Sequence, residues 1–326
     1  MIYFDCAASA PVLPCAREAF LSAPAGNPNS GHTAGREARA ALEKARADIA
    51  ECIGAEPHQI GFTSSATEAC AVGCAMTMVY ATSPYEHDAV RKCLPDTFVY
   101  NKGVAHILAS NETGQIFDDE VRDLSKAHHV FTDATAAMGH MGINVDSLGV
   151  DALAAGGHKF GAPRGIGFVY VRDGITDDVS FAGTPPVALA CAMAAALKYR
   201  TENMGLAEEL FHGRTYFVEL LRQRLRGLFE VNTPFFAVPT ILSLRFDGIN
   251  ARELLTAMDV RGLCASAGSA CHSGSTTPSR VLIASGLWPE QALSTVRFSF
   301  CEETTADEFL EAADIIEDSV KTLREV

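Results

Sequence analysis

The stretch Val150–Asp151–Ala152–Leu153–Ala154–Ala155–Gly156–Gly157–His158–Lys159–Phe160–Gly161 decides the reading of the fold. Its apolar part, Val150–Ala154, is short and reads as a buried strand. Two glycines end the run, and His158 and Lys159 follow directly. In open α/β sheets the ligand crevice lies outside the carboxyl ends of the strands, so this lysine stands where chemistry is expected. A lysine beside glycines reaches a cofactor aldehyde and forms an imine with it, or it is simply a surface lysine after a strand.

The same texture extends in both directions. Arg36–Ile53 carries apolar residues at helical spacing and Gly54 stops it. Ile60–Thr63 reads as a strand, and an apolar helix runs from Ala69 to about Thr77. Met78–Thr82, His106–Ala109, Val130–Thr132 and Ile166–Val171 are further strands. Strands separated by helices predict an α/β fold with a mainly parallel, doubly wound sheet. Polar residues gather at the ends of these strands: Ser64–Thr67, Glu86 with His87, Asn111, Asp133, and His158 with Lys159.

Beyond about residue 200 the pattern changes. Glu208–Arg226 reads as a long amphipathic helix, Ile241–Phe246 as a strand, Ala251–Met258 as a helix, Thr295–Phe300 as a strand, and 306–325 as an acidic helix. This predicts a large domain over 15–203 and a smaller α+β domain made of 1–14 and 204–326. No internal repeat or low-complexity tract interrupts the chain.

Of the 326 residues, 48% are apolar and 20% charged, as in ordinary globular enzymes. The net charge of −14 argues against nucleic acid as a partner, because neutralising phosphates needs clustered Lys and Arg. The apolar run Val187–Leu197 is too short for a bilayer and reads as a buried helix. With the strand-like Ile2–Asp5 at the start and no export signal read there, a cytoplasmic protein without a membrane partner is expected. Ten cysteines, at 6, 15, 52, 70, 74, 93, 191, 264, 271 and 301, then read as reduced thiols. Cys70 and Cys74 share a helical face but lack partners at metal-ligand spacing, so no metal is expected.

Several residues carry specific chemistry. Asp133 is suited to keep a pyridine nitrogen protonated, or to cap a turn. Ser65–Ala66–Thr67–Glu68 matches a capping box and also opens a helix whose N–H groups favour a phosphate. His87 is placed to lie on an aromatic ring and move a proton, or is structural. Arg297, inside the apolar run Val296–Ser299, needs a carboxylate partner, either an internal Asp or Glu or that of a substrate. Cys271 lies in Ala265–Ser275, a run of small residues that would let a nucleophilic thiol move between partners.

Taken together, these stretches resemble the cysteine desulfurases of the iron–sulfur-cluster-assembly branch, within the class V aminotransferases. The resemblance rests on Tyr3–Pro11, Asn27–Arg36, Phe62–Glu68, Thr82–Val90, Ser110–Gly114, Asp133–Gly139, Gly157–Gly167, Ser266–Ser275 and Val296–Ser299. It implies the fold type I architecture of enzymes using pyridoxal 5′-phosphate (PLP). It assigns Lys159 to the Schiff base, His87 to stacking on the ring and Asp133 to the ring nitrogen. Ala66, Thr67 and His158 match phosphate contacts, and Thr184 matches a threonine reaching the neighbouring subunit's phosphate, hence a homodimer. Asn111 and Arg297 match groups that orient the substrate carboxylate, with Asn111 also beside the cofactor. Cys271 matches the nucleophile that takes sulfur from L-cysteine, leaving alanine and a persulfide for a sulfur-acceptor or scaffold protein.

The chain also departs from that pattern. Ala136 stands for a glutamine, Gly156 for a phosphate-binding serine, Phe181 near an expected arginine, and the stretch between His87 and Asn111 is short. The alternatives are a selenocysteine or cystine lyase, which would not need Cys271, and a catalytically weak homologue acting as a partner protein.

Overall fold

The computed structural model describes residues 1–94, 103–176, 183–268 and 277–324. Eleven strands are found among them: β1 (Ile2–Tyr3), β2 (Ile60–Thr63), β3 (Val79–Thr82), β4 (Gly103–Ala105), β5 (His129–Asp133), β6 (Ala152–Gly156), β7 (Gly167–Val171), β8 (Glu230–Val231), β9 (Ile241–Arg245), β10 (Leu263–Cys264) and β11 (Thr295–Ser299). The chain divides into two compact units, one of Ala10–Ala109 with Phe117–Met204, the other of Met1–Ser9, Ser110–Ile116 and Gly205–Val326.

The larger unit is built on a six-stranded sheet in the order β2-β7-β6-β5-β4-β3. Strands β3 to β6 pair in parallel, while β7 runs antiparallel to both β6 and β2. The strand predicted over His106–Ala109 is corrected to β4, Gly103–Ala105. His106 N–H and Leu108 N–H still donate to the carbonyls of Phe131 and Asp133, so that segment follows β5 without forming a regular ladder. The helix Thr33–Ile53 ends at Gly54, whose φ of 70° is the left-handed cap conformation that glycine adopts without strain. β5, β6 and β7 are buried nearly throughout, as fits continuous apolar runs covered on both faces.

Unit boundaries follow hydrogen bonds. Ala10 N–H and Leu13 N–H donate to the carbonyls of His158 and Gly161, so the large unit begins at Ala10 and includes 10–14. Ser110–Ile116 belongs to the small unit, where Gly114 O accepts from Val238 N–H and Gln115 bridges Ala237.

The small unit pairs β9 antiparallel with both β11 and β8, and β1 parallel with β10. Its core is aromatic: Phe4 meets Phe300 edge-on at 4.9 Å between ring centroids, and Phe309 at 5.5 Å. Helix Ala306–Arg324 and helix Gly205–Leu225 close over this cluster through Phe309, Ile316 and Phe217. Burying several such rings supplies the main favourable term of folding.

Candidate functional site

In the large unit, the end of β6 abuts the start of helix Ala66–Met76. A Cβ added at Gly156 would lie 2.9 Å from the Cβ of Ala66, and one at Gly167 would lie 2.7 Å from the carbonyl carbon of Ser65. Only glycine allows this approach. Ser65 caps the helix by accepting from Glu68 N–H at 3.2 Å. The capping box is formed only in part, because Glu68 Oε2 accepts from Ser64 N–H (2.6 Å) and Ser64 Oγ–H (2.7 Å) instead of from Ser65. These Ser64 bonds hold the Glu68 carboxyl below its ordinary range. The N–H groups of Ala66 and Thr67 make no hydrogen bond among the described residues, as expected of the first turn of a helix.

His158 and Lys159 sit in a single 3₁₀ turn, Gly157–Lys159, directly after β6. Burial, and then the positive charges of Lys159 and Arg164, press the His158 pKa down to about 4, so its ring is neutral at pH 7. Its Nδ1 is buried and has no hydrogen-bond partner among the described residues. The carbonyl of Lys159 lies 3.3 Å from His140 Nε2, and the carbonyl of Phe160 accepts from Arg200 Nε at 3.2 Å. Two side chains thus fix the backbone that carries the lysine.

Asp133 ends β5, is 4% exposed, and accepts from Thr135 N–H through Oδ1 at 2.9 Å. Its second oxygen takes no hydrogen bond among the described residues. Thr135 Oγ1 is a buried hydroxyl without a partner among the described residues. His87 caps the short helix Asp88–Arg91, its Nδ1 accepting from Ala89 N–H at 3.1 Å. That bond leaves Nδ1 unprotonated and puts the ring proton on Nε2. Glu86 beside it is 1% exposed; Oε1 accepts from Ser83 Oγ–H at 3.0 Å, and Oε2 has no hydrogen-bond partner among the described residues. Burial, and then the charge of Asp133, raise its pKa to about 8, so this carboxyl is mostly neutral at pH 7. Thr184 is exposed on the same unit.

The small unit holds Arg297 and Asn111. Arg297 is 1% exposed, and its Nη2 pairs with Asp5 Oδ1 at 2.9 Å while Nη1 donates to Asn111 O at 2.8 Å. Of the two partners open from sequence, an internal aspartate is therefore present. Arg297 Nε is buried without a hydrogen bond among the described residues. Glu112 Oε2 accepts from Ser279 Oγ–H at 2.6 Å and lies 3.0 Å from where a Cβ on Gly268 would stand. Cys271 lies outside the described residues, as does Phe181.

The resemblance groups Ala66, Thr67 and His158 as phosphate contacts beside Lys159; the structure sets Gly156, at the end of β6, against Ala66 at the helix start. It missed Glu86 as a buried acid and His140 as a backbone support. Glu86 was legible only as a carboxylate beside His87 at a strand end; His140 carried no signal beyond its place seven residues after Asp133. Among the described residues no group of three His, Cys, Asp or Glu is arranged to hold a metal. No helix there is long and apolar enough to cross a membrane.

The sequence profile of the class V aminotransferases matches residues 2–90 and 85–310. Cysteine desulfurase IscS of Dictyoglomus turgidum is 30% identical over 379 aligned positions, covering 100% of this chain and 96% of that protein. Cysteine desulfurase IscS of Serratia proteamaculans is 31% identical, covering 100% of this chain and 94% of its own length. Those 379 positions exceed the 326 residues of this chain, so the relative carries segments that this chain lacks. Among solved structures, a NifS-like protein superposes with a TM-score of 0.87 at 25% identity over 99% of this chain and 100% of that one. The protein SspA, solved in complex with cysteine, superposes with a TM-score of 0.74 at 25% identity over 94% of this chain and 100% of its own. With a buried, mainly parallel sheet whose strand ends carry Asp133 and Lys159, and with full-length relatives of this kind, the chain belongs to the class V aminotransferases, in their cysteine desulfurase family.

Proposed function

We propose that this chain is a PLP-dependent cysteine desulfurase that takes sulfur from L-cysteine, releasing alanine and leaving a persulfide on Cys271. The observation that carries the reading is the set of unengaged polar groups in the large unit. Among the described residues the Ala66 and Thr67 N–H groups and the buried His158 Nδ1 lack partners, Asp133 at the end of β5 keeps one oxygen without a hydrogen bond, and Lys159 follows the end of β6. A buried donor without a partner, as His158 Nδ1–H would be, is costly unless a ligand completes it. Their chemistry fits a phosphate at a helix start and a protonated ring nitrogen at a buried carboxylate. Family membership with named cysteine desulfurases supports the substrate.

When bound, PLP supplies an aldehyde that condenses with amines and an electron sink for the neighbouring carbon. Lys159 would hold it and then move a proton at the substrate's α-carbon. Asp133 would keep the ring nitrogen protonated through its unengaged oxygen. His87 would cover the ring face, with its proton on Nε2. His158, neutral, would donate through Nδ1–H to the phosphate beside the Ala66 and Thr67 N–H groups. Asn111 and Arg297 would orient the substrate carboxylate. Asp5 and the Asn111 carbonyl each take one N–H of an Nη group, and the buried Nε carries a further N–H without a partner among the described residues.

Cys271 would attack the substrate sulfur as thiolate. Two donors of the wider pattern are absent here, a glutamine for the phenolic oxygen at Ala136 and a serine for the phosphate at Gly156, so phosphate binding would lean on the helix start and His158. Thr184, exposed, would serve the cofactor of a second copy in a homodimer, and a sulfur-acceptor or scaffold protein in the cytoplasm would receive the persulfide sulfur.

The direct test mixes the purified chain with PLP and L-cysteine and measures alanine and sulfide together. The reading predicts a new absorbance band on PLP addition that disappears in Lys159→Ala, with alanine formed from cysteine. A chain that shows no such band with excess PLP would instead be a partner protein, and the reading would fail.

A further inference from the structure

The segment that follows Asp133 folds back and meets the turn that carries Lys159. Ala134 N–H donates to Ala154 O at 2.9 Å, which sets the start of the segment beside β6. Ala137 N–H and Met138 N–H donate to Ala134 O, and His140 N–H donates to Ala137 O, so residues 134–140 form one compact run of turns. Gly139, with a φ of 76°, packs on the lysine's neighbour. A Cβ there would stand 2.9 Å from the Cβ of Phe160 and 3.2 Å from Cγ of Arg200. Glycine tolerates both the conformation and the approach. His140 comes next and brings its Nε2 to 3.3 Å from the Lys159 carbonyl oxygen.

A carbonyl oxygen only accepts, so Nε2 is the nitrogen that carries the proton. Removal of the ring from water, and then the charge of Arg200, press the His140 pKa down to about 4. At neutral pH the ring therefore holds one proton, and that proton is committed to the lysine's own carbonyl. The residues on either side are held as well. Phe160 N–H donates to Gly157 O at 3.1 Å, Arg200 Nε to Phe160 O at 3.2 Å, and Leu13 N–H to Gly161 O at 2.9 Å.

We propose that His140 is a positioning residue for the reaction: its Nε2–H bond to the Lys159 carbonyl fixes the lysine's backbone relative to Asp133, and so sets the reach of the amine toward the cofactor aldehyde. That role rests on PLP being held by Lys159 and Asp133, as proposed above. A lysine stem rotates about each of its bonds, so the placement of its backbone decides how many of its conformers meet the aldehyde. With Ala136 and Gly156 standing where polar cofactor contacts are found in the wider pattern, retention of PLP leans further on this covalent link.

The test compares His140→Gln, His140→Asn and His140→Ala with wild type in the full chain. The side-chain amide nitrogen of glutamine reaches about as far as Nε2, whereas that of asparagine stops near the place of Nδ1. PLP is titrated into each chain through its absorbance band; the imine is then reduced with borohydride and the chain digested with trypsin. A pyridoxyl group on Lys159 blocks cleavage there and gives peptide 127–164 in place of 127–159. His140→Gln should keep wild-type affinity and labelling. His140→Asn and His140→Ala should bind PLP about five- to tenfold more weakly, with less label on Lys159, the loss expected for one hydrogen bond. Cofactor-free urea midpoints of the glutamine and asparagine variants should agree. Asparagine binding PLP as wild type does, or glutamine as weak as asparagine, would overturn the proposal. So would PLP affinities that simply track the cofactor-free urea midpoints across the three variants. A wild type that forms no band overturns the PLP reading together with this role, whereas a band shared unchanged by all three variants overturns the role of His140 alone.

Discussion

Glu86→Gln is the perturbation whose effect can be worked most fully from the structure. The Glu86 carboxyl is 1% exposed, and burial followed by the Asp133 charge raises its pKa from the ordinary 4.5 to about 8. Between those values the folded chain holds a proton that the unfolded chain has released. Stability contributed by this group is therefore full below about pH 4.5 and is lost as pH rises through about 8. Integrating that linkage gives a loss of roughly 3 kcal/mol by pH 7, approaching roughly 5 kcal/mol in all, at about 1.36 kcal/mol per unit. Glutamine has nearly the shape of the neutral acid and cannot ionise. Urea unfolding of cofactor-free wild type and Glu86→Gln across pH 5–9 should give similar stabilities at about pH 5. At about pH 8.5 the variant should be more stable by roughly 4–5 kcal/mol. Removing the cofactor first keeps ligand stabilisation out of the comparison. Two stability curves that run parallel over this range would refute the assignment of a buried, neutral acid beside His87.

Asp5→Ala should leave Arg297 buried with only the Asn111 carbonyl against it, costing about 3–5 kcal/mol, read as a lowered urea midpoint. Ser65→Ala removes the helix cap at Glu68 N–H and should cost about 1 kcal/mol of stability. Gly156→Ser, which restores the residue type of the wider pattern, should destabilise by about 1–3 kcal/mol rather than strengthen PLP binding, because its Cβ would meet Ala66 at 2.9 Å. The double variant with Ala66→Gly should recover most of that loss in thermal unfolding. Equal stability of Gly156→Ser and wild type would contradict the close packing of β6 on the helix start.

Much of the fold was legible because the pattern is local. Thr33–Ile53 carries its apolar face and its terminating Gly54 within one segment, and β6 is an unbroken run of apolar and small residues. What failed depended on partners distant in sequence. His106–Ala109 has strand composition, yet the regular ladder lies at Gly103–Ala105, because Thr132 Oγ1 bonds the His106 carbonyl instead of leaving it to a strand. The reversed direction of β7 follows from the short link after Lys159, which no residue preference announces. At the site, Lys159, Asp133 and His87 stand out by type at strand ends. Glu86 does not, since its neutrality comes from burial and from a charge on a strand nearly 50 residues away. Arg297 was legible as a buried charge, but only the folded small unit identifies Asp5 as its partner.

Everything proposed about catalysis rests on sulfur leaving the substrate for a protein thiol while the cofactor is anchored by Lys159. The most direct measurement is one turnover of the PLP-loaded chain with L-cysteine, quantifying alanine and the persulfide on each tryptic cysteine peptide. The account predicts one alanine for each persulfide found on Cys271, with both lost in Cys271→Ser. Undiminished alanine formation in Cys271→Ser, or sulfur found only on other cysteines, would contradict it.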